Sequence, residues 1–261
     1  LEEDLRTATF LSRDDTTQGS RFRFAHSSLQ EYFLATYLLQ AIAENKPQNW
    51  ELSKPSHETL VFLAQLLAEP ENAPLLAKLN GWKSVYRPQV SENLLFYAVV
   101  ADKLGFSVPN LNGINLATAL LDDLVLEKHS KLSLNNANFN NASLRRFDVQ
   151  GLSLANSVFE GANLTQAIFS HCNLSSSHWA NATLISATFN QCNIKDIDDS
   201  LLDSATVFQT ANGNERIYIM PYTADSVMWQ LSFPMPEEEA KTLSAQGTKA
   251  LYERILWHQW R

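Results

Sequence analysis

From Leu134 onward, every fifth residue is apolar: Leu134, Phe139, Leu144, Val149, Leu154, Phe159, Leu164, Phe169, Leu174, Trp179, Leu184, Phe189 and Ile194. Two places before each stand Leu132, Ala137, Ala142, Phe147, Leu152, Ser157, Ala162, Ala167, Cys172, Ser177, Ala182, Ala187 and Cys192, which are mostly small. At an apolar frequency near one half, such a run arises by chance about once in ten thousand frames. A period of five fits neither the 3.6 of a helix nor the 2 of a flat strand. It demands a corner once per five residues, with one large and one small side chain turned inward each time. Alternating sizes let stacked coils interdigitate without voids. Backbone groups then pair with the coils above and below, about 4.8 Å away. Asn138, Asn163, Asn173 and Asn193 each precede a large inward residue and can bond nearby backbone.

Leu116, Leu121 and Leu126 keep the same step, with Ile114, Ala119 and Leu124 two places before them. The step from Leu126 to Leu134 is eight, so Lys128-His129-Ser130 reads as a three-residue insertion at a corner. The stretches Ala137-Asn138-Phe139, Ala162-Asn163-Leu164, Cys172-Asn173-Leu174 and Cys192-Asn193-Ile194 resemble the pentapeptide-repeat family. The resemblance implies a right-handed quadrilateral β-helix over 113–196, with four repeats per coil. The thirteen repeats from Leu134 would make about three coils, roughly 15 Å long at the strand spacing. Members of that family mimic duplex DNA by charge, which requires rows of carboxylates. Here Asp148, Glu160 and Asp196 are balanced by Arg145, Arg146 and Lys195 between 132 and 196. DNA mimicry is not expected.

The net charge of −8 and pI near 5.2 argue against a nucleic-acid partner, because that affinity comes mainly from Lys and Arg on phosphates. Cys172 and Cys192 are the only cysteines, and both fall on the repeat lattice as small core residues. No run approaches the roughly 18 apolar residues of a membrane span. A cytoplasmic setting is the expectation. The chain opens on Leu1 in ordinary sequence, which suggests a piece of a longer protein.

Near the start, Thr7–Leu11 and Arg21–Phe24 alternate like short strands, with turn chemistry over Ser12–Ser20 between them. Ser27/Gln30 and Ser28/Glu31 fit capping boxes ahead of a helix. That helix carries apolar residues on two sides and should be largely buried. The string from Phe22 to Ala35, with Phe24, His26, Gln30, Glu31, Tyr32, Phe33 and Ala35 at the matching places, resembles the end of the winged-helix module of NACHT-type (STAND) signalling NTPases. The resemblance covers residues 1–45. It implies that His26 contacts the β-phosphate of bound ADP in the closed state of an intact parent protein. This chain holds no Gly-x-x-x-x-Gly-Lys-Ser/Thr phosphate loop. ATP or ADP, and oligomerisation through an NTPase domain, would therefore belong to a longer parent.

Residues 46–112 read as a helical connector, with helices over His57–Ala68, Pro74–Leu79 and Val90–Leu104, the last two stopped by Gly81 and Gly105. Residues 197–261 read as a linker, a β-hairpin and a C-terminal helix from about Glu237 that covers the end of the solenoid. Trp257 and Trp260 would supply apolar cover. The segment Arg216–Pro234 is similar to part of the substrate-domain sheet of flavin-dependent aromatic hydroxylases. The dinucleotide and flavin motifs such enzymes need are absent from the chain.

His26, His57, His129, His171, His178 and His258 make no zinc-type spacing with the cysteines. Asp196, Asp198, Asp199 and Asp203 read as a solvated linker, and no metal or cofactor is expected in this chain. The expected function is non-catalytic. In this reading the solenoid binds a protein partner as the sensing end of a NACHT-like NTPase. A stand-alone pentapeptide-repeat scaffold and a flavoprotein remnant are the alternatives.

Overall fold

The structure, a computed structural model, describes residues 11–14, 21–24, 26–84, 87–127, 131–196, 206–209, 216–223, 226–232 and 237–246. The chain forms two compact units, Leu1–Asn110 and Leu111–Arg261.

In the first unit, β1 (Leu11–Asp14) pairs antiparallel with β2 (Arg21–Phe24), Leu11 opposite Phe24 and Asp14 opposite Arg21. The strand thus runs through Ser12, Arg13 and Asp14, where the sequence suggests a turn. Ladder partners override the weak local preference of such polar residues. Four helices follow: α1 (Ser27–Ala43), α2 (His57–Ala68), α3 (Leu75–Trp82) and α4 (Pro88–Lys103). A 3₁₀ turn, Pro47–Trp50, joins α1 to α2.

Neither capping box forms at α1. His26 itself is the N-cap, with extended backbone and no side-chain cap bond, so Ser27 and Ser28 already lie inside the helix. By contrast Ser56 caps α2, its Oγ accepting the Thr59 N–H at 3.1 Å. The expected burial of α1 is also corrected. Only the stripe Ala35, Leu38, Ala41 and Ile42 is buried, while Tyr32, Phe33 and Tyr37 are exposed. The buried stripe packs toward α2, the 3₁₀ turn and α3, while Tyr32 reaches Phe62 of α2 edge-on at 5.7 Å.

Both α1 and α4 end in Schellman motifs. At α1 the Lys46 and Asn45 N–H groups donate to Ala41 and Ile42, with Asn45 left-handed at φ 54°. At α4 the Phe106 and Gly105 N–H groups donate to Ala101 and Asp102, with Gly105 at φ 79°. Gly81, expected to stop α3, lies inside it. Trp82 carries the helix past that weak point. It is buried, and its Nε1 donates to Asn45 Oδ1 at 2.8 Å. This anchoring exceeds the roughly 1 kcal/mol that an interior glycine costs.

Trp50 is the hub of this unit. It is 1% exposed and lies edge-on to Trp82 and Tyr97, with centroids 5.7 and 6.3 Å away. Its Nε1 donates to the Leu38 carbonyl at 3.2 Å. Buried Asn93 on α4 donates to the carbonyls of Trp50 and Leu52 at 3.0 and 2.9 Å. The Trp50 carbonyl also accepts the Leu52 N–H at 2.9 Å, so Asn93 adds a tie from α4 to a turn that is already bonded locally.

The second unit is a parallel β-helix. Asn138 pairs with Val158, and Val158 with His178; Asn163 pairs with Ser143 and Thr183. Every offset is twenty residues, so each coil holds four repeats. Earlier pairings, Asn115 with Asn138 and Val125 with Asp148, are offset by twenty-three. Three residues are therefore inserted between Leu126 and Leu134; Lys128, His129 and Ser130 themselves lie outside the described residues. Leu111 sits one five-step before Leu116 and is buried, so the coil reaches back to it.

The period of five has a local cause. On three faces the large inward residue accepts a bond from the small inward residue three places on. Ala137 N–H to Leu134, Ala142 to Phe139 and Phe147 to Leu144 show it on successive faces. The third residue of each turn has positive φ, as at Asn136, Asn141 and Arg146. This is the requirement of a type II turn. Four turn residues plus one outward residue make five. At Gly161, φ 67°, an added Cβ would lie 2.4 Å from Asn141 Oδ1, so glycine suits that corner on two counts.

The fourth face is built instead from short strands: β3 (Val125–Leu126), β4 (Asp148–Gln150), β5 (Ile168–Ser170) and β6 (Ala187–Asn190). A strand within the expected linker, β7 (Thr206–Gln209), continues this ladder parallel to β6, Phe208 beside Phe189. Then β8 (Arg216–Thr223) and β9 (Ser226–Ser232) add antiparallel, completing a seven-stranded sheet. The linker expectation missed β7 because β6 already presents an edge for it to pair with. Helix α5 (Glu237–Gln246) follows. Trp257 and Trp260 lie outside the described residues.

Candidate functional site

The inward positions build the frame. Leu134, Phe139, Leu144, Val149, Leu154, Phe159, Leu164, Phe169, Leu174, Trp179, Leu184 and Phe189 are at most 1% exposed. Ile194, at the far end, is half-buried. Phe139, Phe159 and Trp179 stack in one column, with centroid spacings of 4.9 and 4.2 Å and near-parallel rings. Phe169 and Phe189 stack in another at 5.2 Å. Trp179 Nε1 donates to Ser177 Oγ at 2.7 Å, and Ser177 Oγ donates to the Leu174 carbonyl. The indole polar group is thereby satisfied inside the core.

The asparagines act as the sequence suggests. The side-chain oxygens of Asn138, Asn163, Asn173 and Asn193 accept the N–H two residues on, at 3.0–3.2 Å. Asn193 Nδ2 donates to Asn173 Oδ1 at 2.9 Å, and Asn138 Nδ2 to Asn115 Oδ1 at 3.3 Å. These ladders lock the coils in register and leave flat, polar faces.

Among the described residues of the coils, the outward and corner positions are the ones open to a partner. Charge on them is sparse and dispersed. Asp148 and Glu160 project from different faces, and Asp196 lies at the far end. The first two coils are tied by Arg145 to Asp122, with Nη2 2.6 Å from Oδ2, and by Arg146 to Asp123, with Nη2 2.7 Å from Oδ2. The sequence reading missed these pairs, although the eight-residue step from Leu126 to Leu134 predicts their offset of twenty-three. Exposed aliphatics are spread over two adjoining faces, in different coils, and Asp148 stands between Val125 and Ile168 in the ladder. Leu120 and Ile185 lie on one, Val125 and Ile168 on the strand face.

Partial burial works to raise the Asp122 carboxyl. The Ser143 hydroxyl and the Arg145 side chain and N–H together outweigh it and hold the group below the usual range. The hydrogen bond from Arg146 does the same for Asp123. A folded-state pKa below the unfolded value gives stability that is present above the unfolded value, about 3.9. That stability is lost as pH falls through the folded pKa. Thermal melts from pH 6 to 2.5 should therefore show a steeper acid loss below about pH 4 in wild type than in Asp122→Asn. Parallel curves would remove the carboxylate from this account. The effect is small because the pairs face solvent.

The other sequence candidates do not converge. His26 is exposed at the start of α1. His171 occupies a left-handed corner at φ 56° and His178 an outward position, both exposed, while Cys172 turns inward. Among the described residues no cluster of His, Cys, Asp and Glu could hold a metal ion, and no helix is long and apolar enough to cross a membrane. Asp198, Asp199 and Asp203 lie outside the described residues.

A family model for pentapeptide repeats matches residues 133–170 and 169–198, with eight copies. No curated protein matches the chain. Among solved structures it is similar to a pentapeptide repeat protein from the cyanobacterium Cyanothece, at 25% identity and TM-score 0.31 over 40% of this chain and 66% of that one. It is also similar to QnrB1, a plasmid-mediated fluoroquinolone resistance protein, at 14% identity and TM-score 0.26 over 42% of this chain and 62% of that one. A pentapeptide repeat protein of the Arabidopsis thaliana thylakoid lumen aligns at 15% identity and TM-score 0.20, over 52% of this chain and 74% of that one. The chain thus spans somewhat under two thirds of the length of the first two. The coil offset of twenty residues and the family match agree on one stretch: residues 133–198 are built of pentapeptide repeats.

Proposed function

We propose that the solenoid is a non-catalytic scaffold that binds a protein partner through its outward faces. The observation that carries this is a rigid ladder whose outward positions are near neutral and mostly polar, with exposed Leu120, Ile185, Val125 and Ile168 spread over two of its faces. Aliphatic side chains set among neutral polar ones suit a protein surface. Nucleic acid would call for a basic stripe and a phosphate mimic for an acidic one. The coil is taken as right-handed, as parallel crossovers overwhelmingly are, and the setting as cytoplasmic.

In the fuller reading, residues 1–45 are the winged-helix end of a NACHT-like NTPase. Partner binding at the solenoid then shifts the closed-to-open equilibrium of that switch. The basis is the string from Phe22 to Ala35, with an antiparallel hairpin before it and a helix after it. Deleting 113–196 from the full-length protein is expected to abolish partner-dependent activation while leaving nucleotide binding intact. Unchanged activation would remove the solenoid from the sensing role. A phosphate loop encoded upstream of Leu1 supports the switch; a start codon just before Leu1 favours the stand-alone scaffold.

A further inference from the structure

Cys172 and Cys192 hold the same place in successive coils, twenty residues apart. The Cys172 carbonyl accepts the Asn193 N–H at 2.9 Å, and Asn173 pairs with Asn193 in the ladder. Their Cα atoms are therefore about one strand spacing apart, ~4.8 Å. Disulfides close over Cα separations of about 4.4–6.8 Å. Both thiols are free. Cys172 is 2% exposed, whereas Cys192, near the end of the coil, is half-buried and open to small solutes.

Their corner is the one that lacks the turn bond of the other three. The sulfurs instead donate weakly to carbonyls of the coil below, Cys172 Sγ to Val149 and Cys192 Sγ to Phe169, each at 3.4 Å. Packing alone does not call for sulfur here. Leu152 fills the same place one coil earlier, and Ala137 and Ala162 fill its equivalents on another face.

We propose that Cys172 and Cys192 are an oxidisable pair that closes to an intrachain disulfide and staples the last coil to the one beneath it. The oxidant is a hydroperoxide, small enough to pass the half-buried Cys192. The hydrogen bond from Cys192 holds the Cys172 thiol below its usual range, and the same bond pushes Cys192 up. Either thiol, once ionised, is the nucleophile. Its sulfur bonds to the terminal peroxide oxygen, the O–O bond breaks, and the departing oxygen takes up the thiol proton. The sulfur of the second thiol then displaces hydroxide from that sulfenic acid, and its proton converts the hydroxide to water. Two thiols lose two electrons, and the peroxide gains them.

The test treats the full chain with a slight excess of hydrogen peroxide, alkylates remaining thiols under denaturing conditions and measures mass. The expected product is a monomer about 2 Da lighter that takes no alkyl label. Its digest contains one peptide pair joined through Cys172 and Cys192. Amide exchange over 187–196 should slow at least about tenfold and return on treatment with dithiothreitol. Cys172→Ala and Cys192→Ala place alanine where other repeats carry it, and each should lose the slowing. Two alkylated thiols, sulfinic acids, disulfide-linked dimers or unchanged exchange would overturn the proposal. So would slowing that persists in either variant.

Discussion

Truncating Phe159 to Ala is expected to destabilise the solenoid by about 3–5 kcal/mol, the usual range for a fully buried aromatic. Phe159 stacks on Phe139 at 4.9 Å and on Trp179 at 4.2 Å, and meets Phe169 edge-on at 6.2 Å. It lies in an inner coil, and in a solenoid each coil contacts only its neighbours. Its loss therefore weakens two coil interfaces at once. The coils cannot collapse into the gap, because their spacing is set by backbone bonds such as Phe159 N–H to His178 and Phe139 N–H to Val158. Guanidinium unfolding followed by far-UV circular dichroism measures the change. Glu160→Ala, one residue later and outward, is the control and should stay within about 0.5 kcal/mol. A Phe159→Ala loss below about 1 kcal/mol would mean that the aromatic column is not what joins the coils.

Trp50→Ala should cost the helical unit about as much, roughly 3–5 kcal/mol. Three things go together: the indole packing, its edge contacts with Trp82 and Tyr97, and the bond from Nε1 to the Leu38 carbonyl. Trp50→Phe separates them. It keeps most of the packing and loses the hydrogen bond, and should cost about 1–2 kcal/mol. The midpoint of urea unfolding, with the slope held constant, reads both. If Phe costs as much as Ala, the hydrogen bond outweighs the packing and the hub is polar. If neither matters, the 3₁₀ turn is held by its backbone bonds and by Asn93 rather than by the indole.

The two units differ in how much of them could be read in advance. In the solenoid one rule acts at every position, so the inward set from Leu134 to Phe189, the asparagine bonds and the three extra residues before Leu134 all follow from spacing. In the helical unit the existence of helices could be read from apolar spacing. Their ends and faces could not. Gly81 looks like a stop until Trp82 is seen bonded to Asn45. Tyr32, Phe33 and Tyr37 look like core until the fold leaves them exposed. The outward faces were legible only as near neutral. Which aliphatics share a face follows from the fold of four corners, and the pairing of Asp122 with Arg145 follows from the coil offset.

A repeat of five determines much of its own geometry, because on three of the four faces each unit closes the same turn through its own backbone. That much belongs to the sequence alone: a β-helix, its interior and its lack of a charged stripe. The tertiary structure decided what stacking adds. It sets Phe139, Phe159 and Trp179 in one column, lets β7, β8 and β9 extend the strand face, and places Cys172 beside Cys192. Contacts twenty residues apart depend on the closure of whole coils, which no local window of sequence contains.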